Sequence, residues 1–157
     1  MSTADYANRE VDVVAFQGSS EFNEQELSQV FFSETSGGNI CTGVVMLAQK
    51  FLLKLFKIRG SKKFYPDEGN DFMLEAQTGG LRTPLDVFAA FSAALVDIRR
   101  EFDNEETTDM PDDERYGDAQ LIQALVSPGS LKIVFEMTSR AGTNTRFIAP
   151  IPVTVGK

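Results

Sequence analysis

Thr83-Pro84-Leu85-Asp86-Val87-Phe88-Ala89-Ala90-Phe91 opens the stretch that decides the fold class. A hydroxyl at the N-cap, proline at the first helical position and a carboxylate at the third mark a helix start. They form a capping box with Asp86 in place of the usual Glu. Leu85, Phe88, Phe91, Leu95, Ile98 and Phe102 then recur on one face. That spacing predicts a helix to about residue 102 with the stripe in the core. Upstream, Val44, Ala48, Phe51, Leu55 and Ile58 repeat at intervals of 4, 3, 4 and 3, and Val45, Leu52 and Phe56 widen the stripe. A first helix is predicted over 42–58, capped by Thr42 and stopped by Gly60. Downstream, Leu131, Ile133, Phe135 and Met137 alternate with Lys132, Val134, Glu136 and Thr138, the period of a strand. The turn Ser127-Pro128-Gly129-Ser130 joins it to a strand over Ala119–Val126, and a polar loop past Gly142 leads to a last strand over Phe147–Val155. The reading is an α+β fold, with two main helices packed on a small, mainly antiparallel sheet.

The 157 residues suit one domain with its own core. Histidine is absent, which removes the commonest general base and every histidine metal site. Cys41 is the one cysteine, so no internal disulfide forms, and it reads as a small buried residue. No apolar run is long enough to span a bilayer, and the polar, acidic start carries no secretory signal. There is no glycine-rich phosphate loop ending in Lys and Ser/Thr.

The net charge of -8 is unevenly spread. Residues 1–39 carry seven acids and one base, 40–100 six acids and nine bases, and 101–118 nine acids and Arg115. Lys50, Lys54 and Lys57 line one helix face, and Arg59, Lys62 and Lys63 follow. Overall acidity opposes nucleic-acid binding. That leaves a solvated lysine face or a docking surface for an acidic protein neighbour.

Residues 1–39 read as an extended N-terminal arm that orders against a partner, with a short strand over Val11–Phe16. Residues 40–157 form the single domain. The connection 60–80 centres on Phe64-Tyr65-Pro66-Asp67-Glu68-Gly69, good β-turn chemistry with aromatics on both sides that suggest a turn pinned to the core. Residues 103–118 read as an acidic loop. In the last strand, Pro150 and Pro152 have the same parity, so their missing N–H groups fall on one side. The segment is expected to be an edge strand, or a tail paired on one side only.

Asp67, Glu68 and Asp71 could hold a hard cation or act as a carboxylate pair for glycoside cleavage, but acids this dense in a loop are chiefly turn formers. The 103–118 run lacks the alternating ligands, central glycine and closing glutamate of a calcium loop. No catalytic, cofactor or metal residue is assigned.

A helix ending at Gly60, then Lys62-Lys63-Phe64, Pro66-Asp67-Glu68-Gly69, a capped helix over Thr83–Phe102 and a C-terminal strand pair resemble one family. It is that of the small baseplate wedge proteins, or sheath initiators, of contractile phage tails. These are the "lysozyme-like" baseplate proteins related to type VI secretion baseplate subunits. The likeness covers about residues 40–155. The family's Glu-Pro-Arg motif after the second helix is missing, since Arg99-Arg100-Glu101-Phe102-Asp103 stands there without proline, and no role is carried over for it.

The resemblance implies a non-enzymatic structural protein, six copies around the tail axis, and a place in the virion baseplate after assembly in the host cytoplasm. It implies binding to the tail sheath protein and the wedge proteins, with tube or hub proteins as further candidates, and no nucleic acid or membrane partner. Sheath subunits exchange strands, so an initiator must offer a sheet that accepts one. The expected partner-binding residues are Lys50, Lys54, Lys57, Pro66, Gly69, Phe147, Ala149, Ile151, Val153 and Val155. The alternatives are another small tail adaptor or completion protein, and a carboxylate-dependent glycoside hydrolase.

Overall fold

The computed structural model describes residues 9–10, 12–13, 16–18, 25–27 and 40–153. Strands β1 (Asp12–Val13), β2 (Phe16–Gly18), β3 (Gln25–Leu27) and β4 (Ile40–Cys41) precede helices α1 (Gly43–Leu55), α2 (Phe72–Thr78) and α3 (Pro84–Glu105). Strands β5 (Tyr116–Ser127), β6 (Ser130–Ser139) and β7 (Asn144–Pro152) complete the chain. The α+β class is as expected. The rest of the N-terminal arm, and Val155, lie outside the described residues.

The start of α3 follows from its sequence. Thr83 Oγ1 accepts from the Asp86 N–H at 3.2 Å, and Asp86 Oδ2 accepts from the Thr83 N–H at 2.9 Å. The buried arc is rotated from the expected stripe. Val87, Ala90, Phe91, Ala94, Ile98 and Phe102 are buried, whereas Leu85 is 78% exposed and Phe88 36%. Small Ala90 and Ala94 let the helix lie close to its neighbours, and they join Phe91, Ile98 and Phe102 on the buried arc. The helix α1 ends earlier than predicted, and Thr42 stands at its N-cap without a side-chain cap bond. The expected connection 60–80 contains α2, whose Phe72 and Ala76 are buried. The expected loop 103–118 is shorter, because α3 runs to Glu105, a 3₁₀ turn occupies Asp112–Glu114 and β5 starts at Tyr116.

Five strands form one sheet in the order β2-β3-β7-β6-β5, and β1 pairs separately with β4. The strand expected over Val11–Phe16 is therefore split between two sheets. The β5–β6–β7 meander is antiparallel, in the register Leu131↔Ile151, Ile133↔Ala149 and Phe135↔Phe147. Leu131, Ile133, Phe135, Met137, Phe147, Ala149 and Ile151 all face the helices and are at most 2% exposed. Phe51 of α1 joins the layers, with ring centres 5.3 Å from Phe135 and 5.8 Å from Phe91.

The last strand is not paired on one side only. β7 is flanked by β6 and, in parallel, by β3 at Gln25↔Phe147 and Glu26↔Ile148. The Val153 N–H reaches the Gly129 carbonyl across the β6 side, so odd-numbered residues of β7 direct their amides to β6. Pro150 and Pro152 have the other parity and face the β3 side, where among the described residues the last pair is Glu26↔Ile148. The prolines do limit one ladder, but the intact row of donors is already taken by β6. Among the described residues, the free edge of the meander is the outer side of β5.

Candidate functional site: a polar seam and an open sheet edge

Two features stand out from the packed body. The first is a polar seam where the end of α1, the 56–71 loop and the end of α3 meet. Residues 94, 98 and 101 lie on adjacent ridges of α3, so Glu101 falls on the buried arc with Ala94 and Ile98. Glu101 is 9% exposed. Its Oε1 accepts the Gly69 N–H at 2.8 Å, and its Oε2 lies 3.4 Å from Lys54 Nζ and 3.3 Å from Lys57 Nζ. Lys54 also pairs with Glu105 at 2.6 Å and lies over the Phe102 ring, and Lys57 pairs with Glu68 at 2.5 Å.

Asn70 closes the loop. Its Nδ2 donates to the Lys54 carbonyl at 2.9 Å, its N–H to the Lys57 carbonyl at 3.0 Å, and its carbonyl accepts the Arg59 N–H at 3.1 Å. Gly69 must be glycine, since its φ is +97° and a Cβ would sit 2.7 Å from the Lys57 carbonyl oxygen.

The seam opens into a cleft of about 210 Å³ lined by Asp67, Glu68, Arg100, Glu101, Asn104 and Glu105. This is where a carboxylate pair would act. Burial pushes the Glu101 carboxyl up, but the Gly69 N–H and the two lysines outweigh it and hold its pKa below the ordinary value. The hydrogen bond from Lys57 leads the causes that lower Glu68, with Lys62 adding to it. A general acid needs the opposite shift. Burial pushes Lys57 down, but Glu68 and Glu101 more than offset that and raise it, so it stays charged. Among the described residues, no group of three or more acids or cysteines is arranged to hold a metal ion.

Two lysines of the expected stripe, Lys54 and Lys57, are brought together and turned into the seam, while Lys50 stays at the surface. Lys54 is 8% exposed and Lys57 is half-buried in the seam, while Lys50 pairs with Glu10. Acids 40 to 51 residues away in sequence meet these lysines in space, which a helix-face reading does not show. Phe147, Ala149 and Ile151 are core residues, and Val153 packs half-buried against them, so their apolar face is already used. Pro66 is exposed in the turn and Gly69 is buried at its base. Sequence reasoning missed Glu101 and Asn70. The signal for Glu101 was a charged residue three positions after Ile98 on a core-facing arc.

The second feature is the outer edge of β5. It is twelve residues long and has no strand beside it among the described residues. It holds no proline and no lysine, and its single charge is Asp118. Ile122 and Leu125 are 37% and 38% exposed. The register shifts between Tyr116/Asp118 and between Leu121/Gln123, where bulges raise the local twist. One end is held by α3, since Tyr116 stacks on Phe102 at 4.9 Å and Arg99 pairs with Asp118 at 3.2 Å.

No protein-family model matches the chain, and no curated protein does. A solved structure is similar. It is that of a "putative tail lysozyme" from Geobacter sulfurreducens, 17% identical, with a TM-score of 0.42 over 69% of this chain and 89% of that one. At that TM-score the likeness carries no argument about fold or activity. The residues carry the functional reading instead.

Proposed function

We propose that this chain is a structural, non-catalytic baseplate wedge protein of a contractile phage tail, and that it starts the sheath by accepting a strand. The observation that carries the proposal is the open edge of β5. A long edge without proline or lysine, and with no covering strand among the described residues, presents a row of main-chain donors and acceptors broken only at the two bulges. Monomeric proteins blunt such edges, and proteins that bind by strand addition keep them. The acceptor is therefore β5 rather than the Phe147–Val155 segment, whose regular ladder is used by β6. The resemblance at Gly60, Lys62-Lys63-Phe64 and Pro66-Asp67-Glu68-Gly69 supports the same reading, because those residues build the loop that α3 pins through Glu101. The lowered pKa values of Glu68 and Glu101 speak against glycoside cleavage in the adjoining cleft. In this reading the partners are the sheath protein, the wedge proteins and tube or hub proteins, in six copies around the tail axis.

Amide exchange tests it. The outward amides of Ala119–Val126 should exchange fast in the free protein and slow when the first sheath ring forms. Gln123→Lys with Leu125→Lys adds edge charge at exposed sites and should block sheath initiation without lowering the melting temperature. Unchanged exchange with normal assembly by the double variant rejects strand addition at β5. Peptidoglycan cleavage that Glu68→Gln or Glu101→Gln abolishes rejects the structural reading altogether.

A further inference from the structure

Residues 61–67 are seven consecutive exposed positions, and at their middle Phe64 is 83% exposed and Tyr65 60%. A lone exposed aromatic needs no explanation. Here two adjacent aromatics sit at the tip of a loop that the fold holds firmly. The base is closed by the Arg59–Asn70 and Asn70–Lys57 main-chain bonds, by Asn70 Nδ2 on the Lys54 carbonyl and by the Gly69 N–H on Glu101. The tip is shaped by two turns, with the Tyr65 N–H donating to the Lys62 carbonyl at 3.2 Å and the Glu68 N–H to the Tyr65 carbonyl at 3.2 Å. Pro66 follows Tyr65 at the position where a fixed φ favours the turn. Residues 61–66 carry Lys62 and Lys63, and the exposed Asp67 follows; Lys62 pairs with Glu68 at 3.3 Å, which leaves Lys63 as the tip cation without a carboxylate partner among the described residues. The Lys63 Nζ lies 6.0 Å from the Phe64 ring centre.

We infer that residues 61–66 are a docking knob that inserts Phe64 and Tyr65 into an apolar pocket on a partner protein whose rim carries carboxylates. A fixed loop loses little conformational entropy on association, and aromatic side chains supply most contact energy for their number. Lys63, beside the Phe64 ring, sets the sign of the rim. A lipid surface is the weaker match, because anionic headgroups that would attract two lysines repel a net acidic chain. The pocket is not on a second copy's tip, where lysine would meet lysine. The choice of partner to test rests on the proposed function, since sheath and wedge proteins are then the neighbours.

The chain has no tryptophan, so Phe64→Trp places a single reporter at the tip. The full-length variant is titrated with the purified sheath protein, with the purified wedge proteins, and with phosphatidylcholine vesicles with and without phosphatidylserine. The expected result is a blue shift and reduced quenching with one of the proteins, and none with vesicles. Phe64→Ser with Tyr65→Ser should weaken that binding roughly tenfold or more while leaving the melting temperature unchanged. Lys62→Glu with Lys63→Glu should weaken it more at low salt than at high salt. A tryptophan that stays solvent-exposed with every protein overturns the inference, as does a shift with anionic vesicles alone. Exchange at β5 is read in the same samples. Protection there with an unshifted tryptophan rejects the knob and keeps strand addition, while the reverse rejects strand addition and keeps the knob.

Discussion

Removing the Glu101 carboxylate tests whether the seam holds the loop. Glu101→Ala leaves the buried Gly69 N–H without its acceptor at 2.8 Å. An unsatisfied buried donor costs about 1–3 kcal/mol. The substitution also takes one carboxylate from Lys54 and Lys57, but each keeps another, Glu105 at 2.6 Å and Glu68 at 2.5 Å. The full cost of breaking a buried pair, about 3–5 kcal/mol, is therefore not reached. A net loss of about 2–3 kcal/mol should lower the melting temperature by roughly 4–12 °C for a chain of this size. Glu101→Gln keeps an amide oxygen for Gly69 and should lose about 1 kcal/mol. The two variants also differ in their dependence on pH. Against the upward push of burial, the Gly69 N–H and the two lysines hold the folded pKa of Glu101 below the ordinary glutamate value. Its charge thus adds stability above that value, and the addition is lost as pH falls through the folded pKa. The gap between parent and Glu101→Gln should close in acid, where both side chains are neutral. The assays are thermal unfolding from neutral pH to pH ~3 and amide exchange at Gly69 and Asn70. Wild-type stability in Glu101→Ala, or unchanged exchange at Gly69, refutes the view that α3 pins the loop through this residue.

Three further substitutions probe the same framework. Phe91→Ala, at a site 1% exposed between Phe51 and Phe72, should cost about 3–5 kcal/mol in denaturant unfolding. A loss under about 1 kcal/mol would mean the cavity collapses or the helix is misplaced. Gly69→Ala forces a left-handed φ and a contact at 2.7 Å on an L side chain, so its melting temperature should fall and the 61–67 segment become protease-sensitive. Retained resistance would show that the loop base can shift. Ile151→Pro removes an amide directed at β6 and a buried side chain, whereas Pro150→Ala touches neither, so the first should unfold the meander and the second stay within about 1 kcal/mol of the parent. Equal effects would overturn the assignment of sides on β7.

What the chain made legible, and what it hid, both follow from the range of the interactions involved. The capping box at Thr83 and Asp86 is local chemistry, complete within four residues, and it stands as read. The alternation of Leu131, Ile133, Phe135 and Met137 is local as well, and their burial matches it. The parity of Pro150 and Pro152 was equally readable, and both missing donors do fall on one side of β7. Parity alone, however, cannot say which neighbour lies on which side. The intact donors went to β6, and the blocked side met β3 from the far end of the sequence. The lysines failed for the same reason. A helix wheel orders Lys50, Lys54 and Lys57 on one face, but only the fold brings Glu101 and Glu105 to Lys54 and Lys57, and Glu10 to Lys50. With Lys54 and Lys57 turned inward, the exposed basic groups at the loop tip are Lys62 and Lys63. That placement joins the seam to the function proposed. The buried charges fix the base of a loop whose tip is apolar and basic, and α3, which supplies Glu101 to that base, also stacks Phe102 on the first residue of β5. One rigid helix therefore sets the position of both surfaces offered to partners, so a partner that bridges the knob and the sheet edge meets a spacing the core has already determined.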